Sequence, residues 1–231
     1  LDKNIVLGRK LQKEGYRTIF AFDERRFNSM DESFGYDAVV GPKHAAWSFV
    51  ASGIDHPVIN LVCNTVVGKY LFPGIYLNRG RHGNYEPEKF NQAMVDELVS
   101  GDERPVFLTA HFLLPHWPWT SRKFEELESF ETPENPMTDS LFRYRQMLRQ
   151  VDRQFGSFMS KLENAGLLDN AYVFLLSDHG DGFELEKDNL EPGVVSNARL
   201  KTNTRCHATN IFNLGQYRVV MAARSFGNSK F

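Results

Sequence analysis

Three times in this 231-residue chain an amphipathic helical pattern runs, after a short break, into an apolar strand. That order constrains the fold more than any other feature, because strands that each follow a helix pair in parallel with the helices packed on the sheet faces. "NIVLGRKLQKEGY" places Leu7 and Leu11 at i, i+4, stops at Gly15 and enters the strand "RTIFAF" (17–22). "EPEKFNQAMVDELVSG" has Pro87 in its first turn and Phe90, Ala93, Met94 and Leu98 on one face, and leads into "PVFLTAHF" (105–112). In the third, a stripe runs from Leu141 through Leu148, Val151, Phe155, Phe158 and Met159 to Leu162, with Asp139 placed to cap its start and Gly166 its end. "AYVFLLS" (171–177) follows, apolar enough for a strand covered on both faces. A last strand, "YRVVMAA" (217–223), lies near the C-terminus. The expected architecture is α/β, a mainly parallel central sheet flanked by helices, in a single domain over 1–231.

Composition narrows the partners. A formal charge of −2 argues against a nucleic-acid partner, since phosphate backbones select basic surfaces. Cys63 and Cys206 are the only cysteines, with no C-x-x-C, so neither a disulfide framework nor a zinc ribbon is indicated. No run reaches the ~18 apolar residues of a membrane span. The nearest, "VINLVCNTVVGKYLF" (58–72), is broken by Asn60, Asn64 and Lys69 and reads as a half-buried helix or an irregular segment. "ESFETPENPMTD" (128–139) reads as a surface loop. The chain opens on "LDKNIVLGRKL", without an initiator Met and directly on a helix, and so reads as a piece of something longer.

Parallel sheets place their sites beyond the carboxyl ends of the strands. Here those ends release "DERRF" (23–27), "HFLLPHWPW" (111–119) and "DHGDGF" (178–183), expected on one rim. Asp178 and His179 are good ligands for Zn²⁺ or Mn²⁺, and Gly180 permits a sharp turn; the alternative is a polar turn in which Asp caps a helix. His116 has Pro115 and Pro118 fixing its backbone and Trp117 and Trp119 to wall a pocket, while His111 lies nearer the strand end; either could instead be a packed core histidine. His207 precedes the last strand and returns to the rim or sits in a surface loop. Asp23, Glu24, Arg25 and Arg26 follow the first strand, where the arginine forks suit phosphate or sulfate oxygens, or the four form a solvated loop. Acids, imidazoles and arginines on one rim suggest metal-assisted chemistry on an anionic ester.

"YRQMLRQVDRQFGSFMSKLENAGLLDNAYVFLLSDHGDGF" (144–183) resembles the core of the sulfatase-like branch of the alkaline phosphatase superfamily: a Tyr, a helix with V-D-x-x-x-G, then G-L-x-D-N, then a strand ending S-D-H-G. "HFLLPHWPW" is similar to the family's H-x-P-(aromatic) segment, "EGYRTIFAFDERRFNSMDESFGYD" to its G-Y-x-T strand and F-G-(F/Y)-D stretch, and "CHATNIFNLGQYRVVMAAR" to its late G-H-G-T segment. The resemblance covers, with gaps, most of 1–223 and is weakest over 50–100.

It implies Asp178 and His179 as ligands of a divalent metal (Zn, Mn or Ca), and His207 as a second-metal ligand or a contact to the ester. It implies that His116 binds the transferring group or protonates the leaving oxygen, and that His111, Asp23 and Arg26 contact substrate. The implied partner is a small sulfate or phosphate ester, in an extracytoplasmic or membrane-anchored protein attached through a segment absent from this chain. Two departures stand out: Asp181 where the family often has Glu, and "CHAT" for G-H-G-T. The family's first strand and nucleophile helix have no counterpart here, and no Cys or Ser fits the nucleophile signature C/S-x-P-x-R. The resemblance therefore implies a partial sulfatase-like catalytic domain, inactive alone. The alternatives are a membrane-tethered phosphoethanolamine or phosphoglycerol transferase, and a degenerate homologue that binds anions without turnover.

Overall fold

The structure is a computed structural model that describes residues 6–24, 30–42, 57–63, 65–79, 85–101, 103–117, 119, 139–183, 185, 205–207 and 213–227. The chain divides into two compact units, Leu1–Met137 with Phe142–Leu162, and Thr138–Leu141 with Glu163–Phe231.

In the first unit, helix α1 (Leu7–Lys13) ends at Gly15, whose φ of 87° reverses the chain without a Cβ clash. Strand β1 (Arg17–Phe22) follows with all six residues buried. After a turn of 3₁₀ helix at Glu32–Phe34 comes β2 (Ala38–Val40), then helices α2 (Pro57–Cys63) and α3 (Val66–Leu71). Helix α4 (Pro87–Val99), with Pro87 in its first turn as expected, leads into β3 (Val106–His111). The sheet order is β2-β1-β3 and both pairings are parallel, in a register that runs from Arg17↔Val106 to Phe22↔His111. From Ile19 to Phe22 central β1 is apolar on both faces, which are covered, while Arg17 and Thr18 are buried polar residues at its start. Phe20, Phe22 and Tyr36 form one cluster, with ring centroids 5.8 and 5.2 Å from Phe20. Burying each such ring stabilises the fold by about 1.5–3 kcal/mol.

The long helix α5 (Ser140–Asn164) packs against α4 through Phe112, which lies 5.7 Å from the Phe90 ring and 6.3 Å from that of Phe158. Asn91 donates to the Gln154 carbonyl and Ser157 to Glu88 across the same interface. The buried face differs from the expected stripe. It comprises Gln146, Met147, Gln154, Phe158 and Leu162, whereas Leu148 is exposed. The reason is polar: the Gln154 side chain turns inward to donate to Tyr85, which rotates the buried face away from Leu148.

A further expectation is corrected. Segment 58–72 is helical, but Val58, Leu61, Val66, Val67, Tyr70 and Leu71 are exposed rather than half-buried. No helix among the described residues is long and apolar enough to cross a membrane. The 128–138 loop lies outside the described residues.

In the second unit, Gly166 (φ 70°) follows α5 and β4 (Asn170–Leu176) begins four residues later. Short strands β5 (Gly182–Phe183) and β6 (Arg205–Cys206) pair antiparallel. Helix α6 (Leu214–Tyr217) precedes β7 (Met221–Gly227), which pairs antiparallel with β4 over its full length. The last strand thus starts later than the 217–223 expected, because Leu214–Tyr217 closes a helical turn first. Nor is β4 covered on both faces: Phe174 is 59% and Leu176 63% exposed among the described residues. A two-stranded ribbon has no second layer of its own to bury them.

Candidate functional site

The parallel register brings the ends of β1 and β3 together, so Asp23 and the 111–119 segment share one rim, as the sequence implies. Asp23 is fully buried there. Its carboxylate accepts the Leu113 N–H at 2.9 Å and the Tyr85 hydroxyl at 2.8 Å. Gln154, from α5, donates to the Tyr85 oxygen at 2.7 Å. Burial pushes Asp23 up from 3.8 to about 6, against the lowering pull of these hydrogen bonds and of the Arg79 guanidinium. The same burial, with the Asp23 charge, holds the Tyr85 hydroxyl well above its ordinary value.

Arg79 closes this arrangement from the other side. Its backbone N–H donates to the Asp23 carbonyl at 2.8 Å, and its guanidinium donates to the carbonyls of Leu113 and, at 2.8 Å, His116. Within the turn, His116 N donates to Leu113 O at 2.9 Å and Trp119 N to His116 O at 3.2 Å. Trp119 adopts φ 52°, which costs a bulky residue about 1–2 kcal/mol. It is retained because its ring is buried edge-on to Tyr144 and its carbonyl accepts from Arg143. The outcome is a rigid turn bearing a half-buried His116, whose Nδ1 lies 2.6 Å from the Trp117 carbonyl. A carbonyl only accepts, so this contact suits a proton on Nδ1.

In this unit, then, Asp23 supports the His116 turn rather than facing solvent, and His111 is a half-buried residue ending β3. Arg26 lies outside the described residues. Cys63, the free cysteine among the described residues, is buried, and burial pushes its thiol up, the reverse of what an activated nucleophile requires.

The second unit contains the Asp178–His179 turn. Gly180 is its hinge: it donates to Gln216 O at 2.8 Å, and a Cβ there would meet Gly215 O at 2.0 Å. Only glycine lets the turn pack against α6 this closely. Past it, Asp181 is buried, and its carboxylate lies 2.9 Å from His207 Nδ1. The His179 and His207 rings stack at 4.1 Å with planes 28° apart, and His179 Nδ1 is 2.8 Å from Gly180 O. His179, Asp181 and His207 each offer a ligand atom, all within 4.8 Å of one another. The Asp178 side chain is 79% exposed, with Oδ1 accepting its neighbour's backbone N–H and lying 3.9 Å from His179 Nε2.

Four site residues escaped the sequence reading. Asp181 stood at a position where the resembled family often has Glu, and Gln154 was a polar residue within an apolar helix face; either signal could have found them. Arg79 and Tyr85 fall in the stretch where the resemblance is weakest.

A parallel sheet with a histidine turn at its carboxyl rim makes the first unit α/β, and the Asp-His-Gly turn of the second gathers imidazoles and a carboxylate. The sulfatase family model matches residues 5–230, and the chain belongs to that family. No curated protein matches the sequence. Among solved structures it is similar to Ps i-CgsB in complex with k-i-k-neocarrahexaose, at 17% identity and TM-score 0.50 over 97% of this chain and 49% of that one. It is also similar to the PsFucS1 sulfatase from Pseudoalteromonas sp. (14%, TM-score 0.49, 99% of this chain and 47% of that one). A third is a protein in the alkaline phosphatase superfamily from Vibrio parahaemolyticus (15%, TM-score 0.35, 75% and 35%). The chain spans about half the length or less of these structures, 49%, 47% and 35%.

Proposed function

We propose that the protein is a metal-dependent, sulfatase-like hydrolase of sulfate or phosphate esters, and that this chain carries the later metal and substrate residues. The observation that carries the reading is the gathering of His179, Asp181 and His207 in a chain of the sulfatase family. The donor chemistry fits a divalent cation. Two imidazoles and a carboxylate suit zinc or manganese, whereas calcium takes roughly six to eight oxygens. His179, Asp181 and His207 would hold the ion, with Asp178 beside His179 able to add a further oxygen. Such an ion supplies charge stabilisation on the ester oxygens and a lowered pKa for the attacking group.

The chain's own residues do the rest. His116, with Nδ1 directed to the Trp117 carbonyl, offers Nε2 as a base when neutral and as a proton donor to an ester or leaving oxygen when charged. The rigid turn holds that ring in place before substrate arrives. With Cys63 buried and no C/S-x-P-x-R in the sequence, the reading places the nucleophile outside these 231 residues. Activity of this chain alone is then very low. The test is turnover of an aryl sulfate, an aryl phosphate and a neocarrahexaose by the whole protein with zinc or manganese supplied. Turnover lost on chelation and in His179→Ala is expected; turnover unchanged by both would overturn the reading.

A further inference from the structure

Three polar side chains run in a line beneath the turn that carries His116. Gln154 Nε2, on α5, donates to the Tyr85 oxygen at 2.7 Å, and the Tyr85 hydroxyl donates to Asp23 Oδ2 at 2.8 Å. Asp23 Oδ1 accepts the Leu113 N–H at 2.9 Å, where the turn begins. Every link points at the carboxylate, as it must while Asp23 is ionised, because a carboxylate only accepts. One atom is left over: Gln154 Oε1 is buried without a hydrogen-bond partner. An orphaned buried acceptor is costly and needs an explanation. A second proton state supplies one. With a proton on Oδ2, Asp23 donates to the Tyr85 oxygen, and the Tyr85 hydroxyl turns to the Gln154 side. The Gln154 amide, rotated by half a turn within the same volume, accepts it through Oε1. Asn91, whose Nδ2 donates to the Gln154 carbonyl at 2.9 Å, carries a further orphan acceptor, Oδ1, so the interface is not short of acceptors for the rotated NH₂ group.

We propose that Tyr85 is a two-way relay: one proton taken up by Asp23 reverses the chain Gln154–Tyr85–Asp23, and Tyr85 and Gln154 are positioning residues that tie α5 to the His116 turn. The proton comes from solvent and ends on Asp23 Oδ2. Tyr85 keeps its own proton in both states, since burial and the Asp23 charge hold its hydroxyl well above the ordinary value. Burial raises Asp23 to about 6, so both states lie within reach of ordinary pH. Of the charged groups about Asp23, Arg79 favours the carboxylate and Glu24 opposes it; α5 contributes the neutral Gln154, and the 111–119 segment the Leu113 N–H. The Arg79 guanidinium also donates to the carbonyls of Leu113 and His116, so the Asp23 charge bears on the turn from both sides. That the turn serves ester chemistry rests on the hydrolase reading; the relay does not.

The test follows the Asp23 carboxyl carbon and the Gln154 side-chain amide of the whole protein by NMR between about pH 4 and pH 8, with the signals assigned through Asp23→Asn and Gln154→Met. In the wild type the two should titrate with one midpoint. In Tyr85→Phe the Asp23 midpoint should rise by about one unit, because its charged form loses a hydrogen bond, and Gln154 should no longer follow it. Asp23→Asn, whose NH₂ stands in for the protonated oxygen, should hold the Gln154 amide at its acid-side position at every pH. A wild-type Asp23 that does not titrate in this range, or a Gln154 amide unmoved while it does, would overturn the proposal without any variant having to fold. A Gln154 amide that follows Asp23 as closely in Tyr85→Phe would also overturn it. In turnover of an aryl sulfate or aryl phosphate, the pH limb set by Asp23 should move up with the midpoint in Tyr85→Phe; a limb that stays while the midpoint moves would remove the positioning role. A wild type in which Asp23 and Gln154 titrate together but neither ester is turned over would overturn the hydrolase reading and leave the relay standing.

Discussion

Replacing Asp23 by Asn should shift the stability difference in favour of the variant as pH rises. Asn is isosteric, and its Oδ1 can still accept the Leu113 N–H that the carboxylate accepts at 2.9 Å. What disappears is a charge in a fully buried position, together with an acceptor for the Tyr85 hydroxyl, a loss that does not vary over the pH range below. Because burial raises Asp23 from 3.8 to about 6, the folded state holds its proton more tightly than the unfolded chain does. The group's stabilising contribution is therefore complete below the unfolded pKa of 3.8 and is lost as pH rises through about 6. Two pKa units correspond to about 3 kcal/mol, of which about 2 kcal/mol falls between about pH 4.5 and 8. Urea unfolding of both proteins across that window, followed by tryptophan fluorescence, measures the difference directly. The stability gap in favour of Asp23→Asn should widen by about 2 kcal/mol, with most of the change below about pH 6.5. Parallel curves would refute the assignment of a buried, proton-retaining carboxylate.

Gly180→Ala places a Cβ 2.0 Å from the Gly215 carbonyl, which is backbone and cannot yield as a side chain would. Zinc binding measured by calorimetry should be lost or weakened at least about tenfold, since the turn carrying His179 and Asp181 must move. Asp37 titrates in the opposite sense to Asp23. Burial raises it, but hydrogen bonds from Thr18 and Gln12 and the Arg104 charge outweigh that and hold it below the usual carboxylate range. Its contribution is present above the unfolded pKa and is lost as pH falls through the folded one, so Asp37→Asn should cost stability at neutral pH and progressively less in acid. Urea midpoints at about pH 7 and pH 3 check the sign.

The sequence made β1 and β3 legible because they are short apolar runs closed by turn residues, whereas the three-residue β2 was not read from it. Their six-residue extents hold without change apart from Pro105 and Phe112 at the edges of the second. What failed were the faces. The exposed Leu148 and the buried Gln146 and Gln154 reverse the rule that apolar residues point inward, since the Gln154 side chain is drawn in by Tyr85 from a distant part of the chain. The apolar run of β4 indicates a strand, but not what covers it. The site shows the same division. His179 stood out through its motif, whereas the residues that orient the site histidines do so through contacts spanning 26 residues (Asp181 to His207) and 37 residues (Arg79 to His116). No local pattern encodes such pairings.

The most direct test of the account is a calorimetric titration of the metal-free protein with zinc and with manganese. The account predicts one site per chain, lost in a His179→Ala/His207→Ala double variant that keeps its helical circular dichroism. A wild-type protein that binds neither ion, or a double variant that binds as tightly as the wild type, would contradict it.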